Sequence, residues 1–189
     1  MQKKIMVFGI ILGMLIFFSS PVTAGYISAG GGGGGQAEDF NLTLEGGATE
    51  IEIGKRKYLI AAGIPVIPHG YDNVPSDTID GPCPHDDYVS MGEEYEGTEM
   101  GFYGKFGIEA ITQGLYLSAL LGFTRVTEIE LTRSNPTGQY YEQASEKSNY
   151  AIYGAGVGYF TEIFDDWRVC FQLDVDNRRG VTGSFGFHW

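Results

Sequence analysis

The chain has 189 residues, with 24 Asp and Glu against 12 Lys and Arg, for a formal net charge of −12. Such acidity excludes a nucleic-acid-binding surface, which must be basic to meet phosphates, and leaves no basic patch for anionic lipid. Glycine is abundant at 29 residues and aromatics reach 14%, a composition suited to strands and tight turns rather than a helical bundle.

The amino terminus reads as a secretory signal. Lys3 and Lys4 are followed by an apolar run from Ile5 to Phe18, broken only by two glycines, then by Ser19-Ser20-Pro21 and the short residues Val22-Thr23-Ala24. The run is about 14 residues, shorter than the roughly 20 a spanning helix needs. The expected layout is a signal peptide over 1–24 and one domain over 25–189. Removing Lys3 and Lys4 takes the formal charge from −12 to −14. No later window resembles a transmembrane helix. A chain that is exported and stays in a membrane without helices must close into a barrel, because lipid satisfies no backbone polar group.

The strands follow in order: 26–35, 39–53, 57–67, 99–111, 114–131, 150–163, 167–176 and 181–189. Gly30 to Gly35 offer no side chains, so this first segment reads equally as strand or as lead-in. Gly46-Gly47 reads as a bulge or kink within the second strand. Making it a hairpin would give nine strands, some too short to span. Tyr58, Ile60, Ala62, Ile64 and Val66 mark the third. Next, Met100, Phe102, Phe106 and Ile108 alternate with Tyr103, Lys105 and Glu109, and Leu115, Leu117, Leu121 and Phe123 alternate with Tyr116, Ser118 and Thr124. The two faces of 150–163 are hard to tell apart. The carboxyl end is sharpest. Trp167, Val169, Phe171, Leu173 and Val175 alternate with Arg168, Cys170, Gln172, Asp174 and Asp176, and Val181, Phe185, Phe187 and Trp189 alternate with Thr182, Ser184 and His188. A period of two with one apolar face is the pattern of strands between lipid and a polar lumen. Residues 112–113, 164–166 and 176–180 read as short turns, and 68–98 and 132–149 as long polar loops. The expected fold is all-β: a closed antiparallel transmembrane β-barrel of eight strands, with ten as the alternative and both chain ends on the periplasmic side.

These features resemble the small outer-membrane barrels similar to the membrane domain of OmpA and to OmpX. The resemblance is architectural and spans 25–189. Its most specific part is the last strand, where Phe185, Phe187 and Trp189 resemble the terminal aromatic signature read by the barrel-assembly machinery. It implies an outer-membrane location, contact with membrane lipid and a monomer.

Candidate chemistry is sparse. Lys105, Glu109, Tyr116, Arg168, Gln172 and Asp174 share the inward face and form either the lining of a narrow pore or a plug, and an eight-stranded interior is just wide enough for side chains to fill. Cys83 and Cys170 are the two cysteines of a cell-envelope protein and invite a disulfide, although Cys170 lies on a lumen face below the rim. Pro82 to Asp87 gathers Cys83, His85, Asp86 and Asp87 without the usual zinc spacing, so no metal or cofactor is assigned. Among the small barrels are lipid-modifying enzymes that use His, Ser and an acid. His69, His85 and His188 lack such partners at a recognisable spacing, and no catalysis is expected. Tyr71, Tyr88, Tyr95, Tyr140 and Tyr141 stand among acids in the long loops. They suit a recognition surface of unknown ligand, or simple shielding of the barrel.

Overall fold

The computed structural model describes residues 24–69, 74–163 and 167–189. Most of the expected signal peptide, the turn at 164–166 and Tyr71 lie outside these. The elements are β1 (Gly25–Gly34), β2 (Ala37–Ile53), β3 (Arg56–Pro68), the two-residue β4 (Ile79–Asp80), β5 (Tyr88–Glu109), β6 (Leu115–Ser134), β7 (Tyr140–Ile163), β8 (Trp167–Asp176) and β9 (Gly180–His188). All but β4 form one antiparallel ring in chain order, closed where β9 pairs with β1. The chain ends meet there: Gly25 N and Trp189 N each donate to the other's carbonyl at 2.9 Å. The fold is an eight-stranded closed barrel. β4 is a fragment of the connection between β3 and β5.

The ring is apolar outside. Leu117, Leu121, Phe123, Phe171, Leu173, Phe185 and Phe187 are all exposed, while their neighbours Tyr116, Leu120, Thr124, Gln172 and Asp174 are buried. The alternation also resolves β7, whose Tyr153, Val157 and Tyr159 face out while Ile152 and Phe160 face in.

Glycine shapes the first strand. Gly30 to Gly34 belong to β1; Gly30 to Gly32 pair with both β2 and β9, Gly33 with β9 and Gly34 with β2. A Cβ on Gly32 would lie 1.8 Å from the Val181 carbonyl oxygen, and one on Gly30 2.1 Å from Ser184 Oγ. The run therefore permits a backbone approach that side chains would block. Gly46 and Gly47 sit in regular pairing with β1 and β3, so no hairpin forms there. The register shift falls just beyond, between Ala48 and Ile51, where Glu50 takes φ +58°. The expected kink is thus displaced toward the end of β2, where the strand leaves its β1 partner.

The long loops need correction. Most of 88–98 belongs to β5, and 132–134 and 140–149 belong to β6 and β7, so the connections shrink to 69–87 and 135–139. Above the point where β3 ends (Pro68↔Thr98) and β8 ends (Gly154↔Asp176), the strands β5, β6 and β7 continue together as a three-stranded ribbon. A β-bulge marks the exit: pairing of β5 with β6 shifts register between Glu96 and Met100, and Gly97 has φ +75°. In β5, residues 88–93 are exposed on both faces and carry no apolar alternation, which is why this stretch reads as loop.

Candidate functional site

The barrel interior is the candidate site, and it is filled from end to end. At the end where the chain termini meet lies an aromatic layer. Phe160 packs edge-to-face on Tyr26 (5.1 Å), Tyr116 (5.4 Å) and His188 (5.6 Å), with Leu59, Ala61 and Cys170 completing the cluster. Tyr116 OH accepts from Glu50 N at 3.3 Å, tying the layer to the strained backbone of β2.

The next layer is charged. Glu45 of β2 accepts from Tyr26 OH at 2.6 Å and Tyr103 OH at 2.7 Å, and its Oε2 lies 2.7 Å from Lys105 Nζ. Lys105 Nζ also donates to Asp174 Oδ2 (2.8 Å) and Gln172 Oε1 (3.0 Å), and Gln172 Nε2 donates to Ser28 Oγ at 3.0 Å. Four strands, β1, β2, β5 and β8, meet in this one network. An ammonium removed from water needs such partners on every donor to be tolerated.

Above it the turn between β8 and β9 folds inward. Arg179 is fully buried and donates through Nε to Asp176 Oδ2 (2.6 Å) and through Nη1 to Thr43 Oγ1 (2.7 Å), with its guanidinium 4.6 Å over the Tyr103 ring. Asp176 Oδ1 accepts from the amides of Arg178 and Arg179, which fixes the turn. Asn41 Nδ2 donates to the Arg179 carbonyl, and Thr182 Oγ1 donates to Asn41 Oδ1. The outermost layer is Arg178, which grips Glu99 in a fork (Nε 2.8 Å, Nη2 2.6 Å) beneath the rings of Tyr150 (4.3 Å) and Tyr95 (5.2 Å). His69 Nε2 lies 2.9 Å from the same carboxylate.

Of the residues expected to line the lumen, Lys105, Tyr116, Gln172 and Asp174 are buried there. Glu109 and Arg168 are not part of the network. Both have inward parity but sit at the rim near the chain ends. Glu109 accepts from Gly114 N at 2.8 Å and closes the turn, while Arg168 is half exposed in an ion pair with Glu162, an arrangement that contributes little. Sequence reasoning missed Glu45, Arg179, Arg178 and Glu99. Glu45 has the inward parity of Thr43 and Asn41 and could have been found from it. Arg178 and Arg179 could not, because an Asp-Asn-Arg-Arg-Gly run reads as a wet turn.

The disulfide also needs correction: Cys83 and Cys170 are free thiols. Cys170 lies in the aromatic layer near the chain ends, whereas Cys83 donates its amide to Gln143 of the ribbon at 2.9 Å, so the filled lumen separates them. Among the described residues no group of three or more His, Cys, Asp or Glu is placed to hold a metal ion. His188 contacts the Thr161 carbonyl at 3.2 Å. Of the loop tyrosines, Tyr88 is exposed. Tyr95 covers Arg178, Tyr140 stacks with Arg133 and Tyr141 is buried.

On the ribbon, β4 pairs in parallel with β7 through Ile79↔Tyr141 and Asp80↔Glu142. Burial raises the pKa of the Glu142 carboxyl above its ordinary value, and the charges of Glu96 and Asp80 raise it further.

No family model matches this sequence, and no curated protein matches it. Among solved structures the chain is similar to Ail, the attachment invasion locus protein of Yersinia pestis, solved with the heparin analogue sucrose octasulfate. The identity is 12%, the coverage 88% of this chain and 95% of that one, and the TM-score 0.29.

Proposed function

We propose that this chain is a non-catalytic outer-membrane protein, exported by its first 24 residues, whose plugged barrel anchors in lipid and holds the β5–β6–β7 ribbon outside as a recognition surface. The observation that carries this reading is the inversion of polarity. Leu121, Phe123, Phe171 and Phe185 face out while Glu45, Lys105, Asp174 and Arg179 are sealed inside, the arrangement lipid demands and water forbids. The filled lumen favours an anchor over a conduit. The ribbon strands above the belt hold Glu93, Glu94, Glu96, Glu128, Glu130, Glu142 and Glu146 against Arg125, Arg133 and Lys147, a field that favours a cationic or neutral partner over a polyanion. Phe185, Phe187 and Trp189, exposed on the closing strand, are the surface the assembly machinery would read.

Two measurements test this. Protease added to intact cells should cut within the ribbon and leave a heat-modifiable barrel in the outer-membrane fraction, with deletion of Trp189 lowering the amount of that barrel. Purified protein in planar bilayers should show no steady conductance. A steady, ion-selective current would replace the anchor with a narrow pore, and a purely soluble periplasmic product would end the membrane reading altogether.

A further inference from the structure

The ribbon leaves the barrel at one place where its strand is interrupted. Between Glu96 and Met100 the β5 register shifts, Gly97 adopts φ +75°, and β3 stops pairing at Thr98. β6 and β7, by contrast, pair without a shift from Leu115↔Tyr159 to Glu130↔Ala144. The upper half of β5, 88–96, is therefore joined to the rest of the molecule through a bulge below and through β6 alongside.

Arg178 spans that bulge. At its lower end, the guanidinium makes the two-pronged bond to Glu99. Above it, the same group lies under the Tyr95 ring, and Tyr150 of β7 covers it at 4.3 Å. Tyr150 OH bonds to Glu128 of β6, and Tyr95 and Tyr150 meet edge-to-face at 5.9 Å. His69, at the start of the connection to β5, reaches Glu99 with its ring and the Gly97 carbonyl with its amide at 2.8 Å. One side chain from the β8–β9 turn thus ties the lower end of the β5 bulge, at Glu99, to Tyr95 above it and to Tyr150 of β7. The ion pair at its centre is buried, with Arg178 4% exposed and Glu99 0%, and the rings around it are half-buried.

We infer that Arg178 is a latch that holds the upper half of β5 in register at the Gly97–Glu99 bulge, so that 88–96 is an element that can be released locally while the barrel beneath stays closed. The barrel does not depend on the latch, since Arg179, Asp176 and the Lys105 network complete the interior one layer down. A planar fork over a carboxylate, stacked between rings, is a geometry that lysine cannot reproduce.

Residue-resolved amide exchange on the full chain in detergent or lipid tests this. Arg178→Leu should speed exchange across 88–96 by about ten- to hundredfold, the range that loss of one charge-assisted bond opens locally, with amides of 169–175 and 181–187 unchanged. Arg178→Lys should fall between the two. Unchanged exchange at 88–96, or an equal rise across β8 and β9, would overturn the latch. If Arg178→Leu does not fold, Tyr95→Leu carries the same test. It keeps the Glu99 bond and frees only the upper side of the bulge, so it should speed exchange at 88–96 alone, and no change there would equally overturn the proposal.

Discussion

In the barrel, strands β5, β6 and β7 have an apolar outer face and a charged interior; in the ribbon, acidic side chains replace the outer belt, and β6 keeps only Val126, Ile129 and Leu131 as buried apolar side chains. Phe102, Phe106 and Leu121 below give way to Glu93, Glu96 and Glu130 above. The lower half is held by side chains that cannot leave, such as Lys105 bound to Glu45, Asp174 and Gln172. The upper half is held by backbone ladders, one buried row on β6 (Val126, Ile129, Leu131) and a few rim contacts: the Arg178 cluster, the Asn135–Asp87 bonds and two residues of β4. Fixed polar networks and closed ladders make a rigid base, and an open ladder with sparse packing makes a compliant surface. The division of labour proposed above follows from that contrast.

The largest expected effect comes from breaking the rigid half at its centre. Lys105→Met strands Glu45 and Asp174, both nearly inaccessible, and should destabilise the barrel by about 3–5 kcal/mol in urea unfolding from liposomes, while conductance stays at zero. A small cost with altered ion selectivity would mean that the lumen is wet and the contrast false. A smaller effect separates the two outer surfaces. Leu121 and Met91 are both exposed apolar side chains, one on the barrel and one on the ribbon. Leu121→Arg should cost about 2–4 kcal/mol in lipid, and Met91→Arg no more than about 0.5 kcal/mol, as for a surface site in water. Equal costs would place both at the same depth.

The same contrast explains what was legible in the sequence. The barrel half could be read because an apolar outside and a largely polar inside impose a period of two, and Leu115 to Phe123 and Val181 to Trp189 follow it, with Leu120 the apolar residue that turns inward. The ribbon could not. Tyr88 to Gly97 carry no apolar stripe because neither face is packed against a core or belongs to the apolar belt, so this strand looks like loop in the sequence. Parity along each strand marks the inward side chains, and Lys105, Gln172 and Asp174 are buried inside while Arg168 and Glu109 sit at the rim, because parity says nothing about height along the axis. Arg178 and Arg179 were out of reach for another reason. Their inward turn depends on Gly35 and Gly180, where a Cβ on Gly35 would sit 2.7 Å from Gly180 N and one on Gly180 2.4 Å from the Gly34 carbonyl carbon. That contact joins residues about as far apart in sequence as this barrel allows.

The smallest expected effect lies at the compliant end, where β4 docks on β7. The connection is held there by two parallel pairs, the Cys83–Gln143 bond and a bond between Gln139 and the Asp77 carbonyl. Asp80 sits opposite Glu142, with Glu96 also near enough to be felt, and burial together with these charges raises the Glu142 pKa. The sign follows from linkage. A carboxyl whose pKa is higher when docked than when free disfavours docking while ionised, so the penalty is full above the raised value. It shrinks as pH falls through that value and vanishes once both forms are protonated, below the ordinary carboxylate range. Docking of 74–87 should therefore tighten on mild acidification, whereas the opposite trend is the usual one for carboxylates held in ion pairs. Amide exchange at Asp80 and Glu142, normalised to intrinsic rates, should slow modestly between neutral pH and the carboxylate range. Glu142→Gln should already show the slow rate at neutral pH and lose the dependence. Exchange that quickens on acidification in the parent chain would show that the acids at this edge are stabilised rather than crowded.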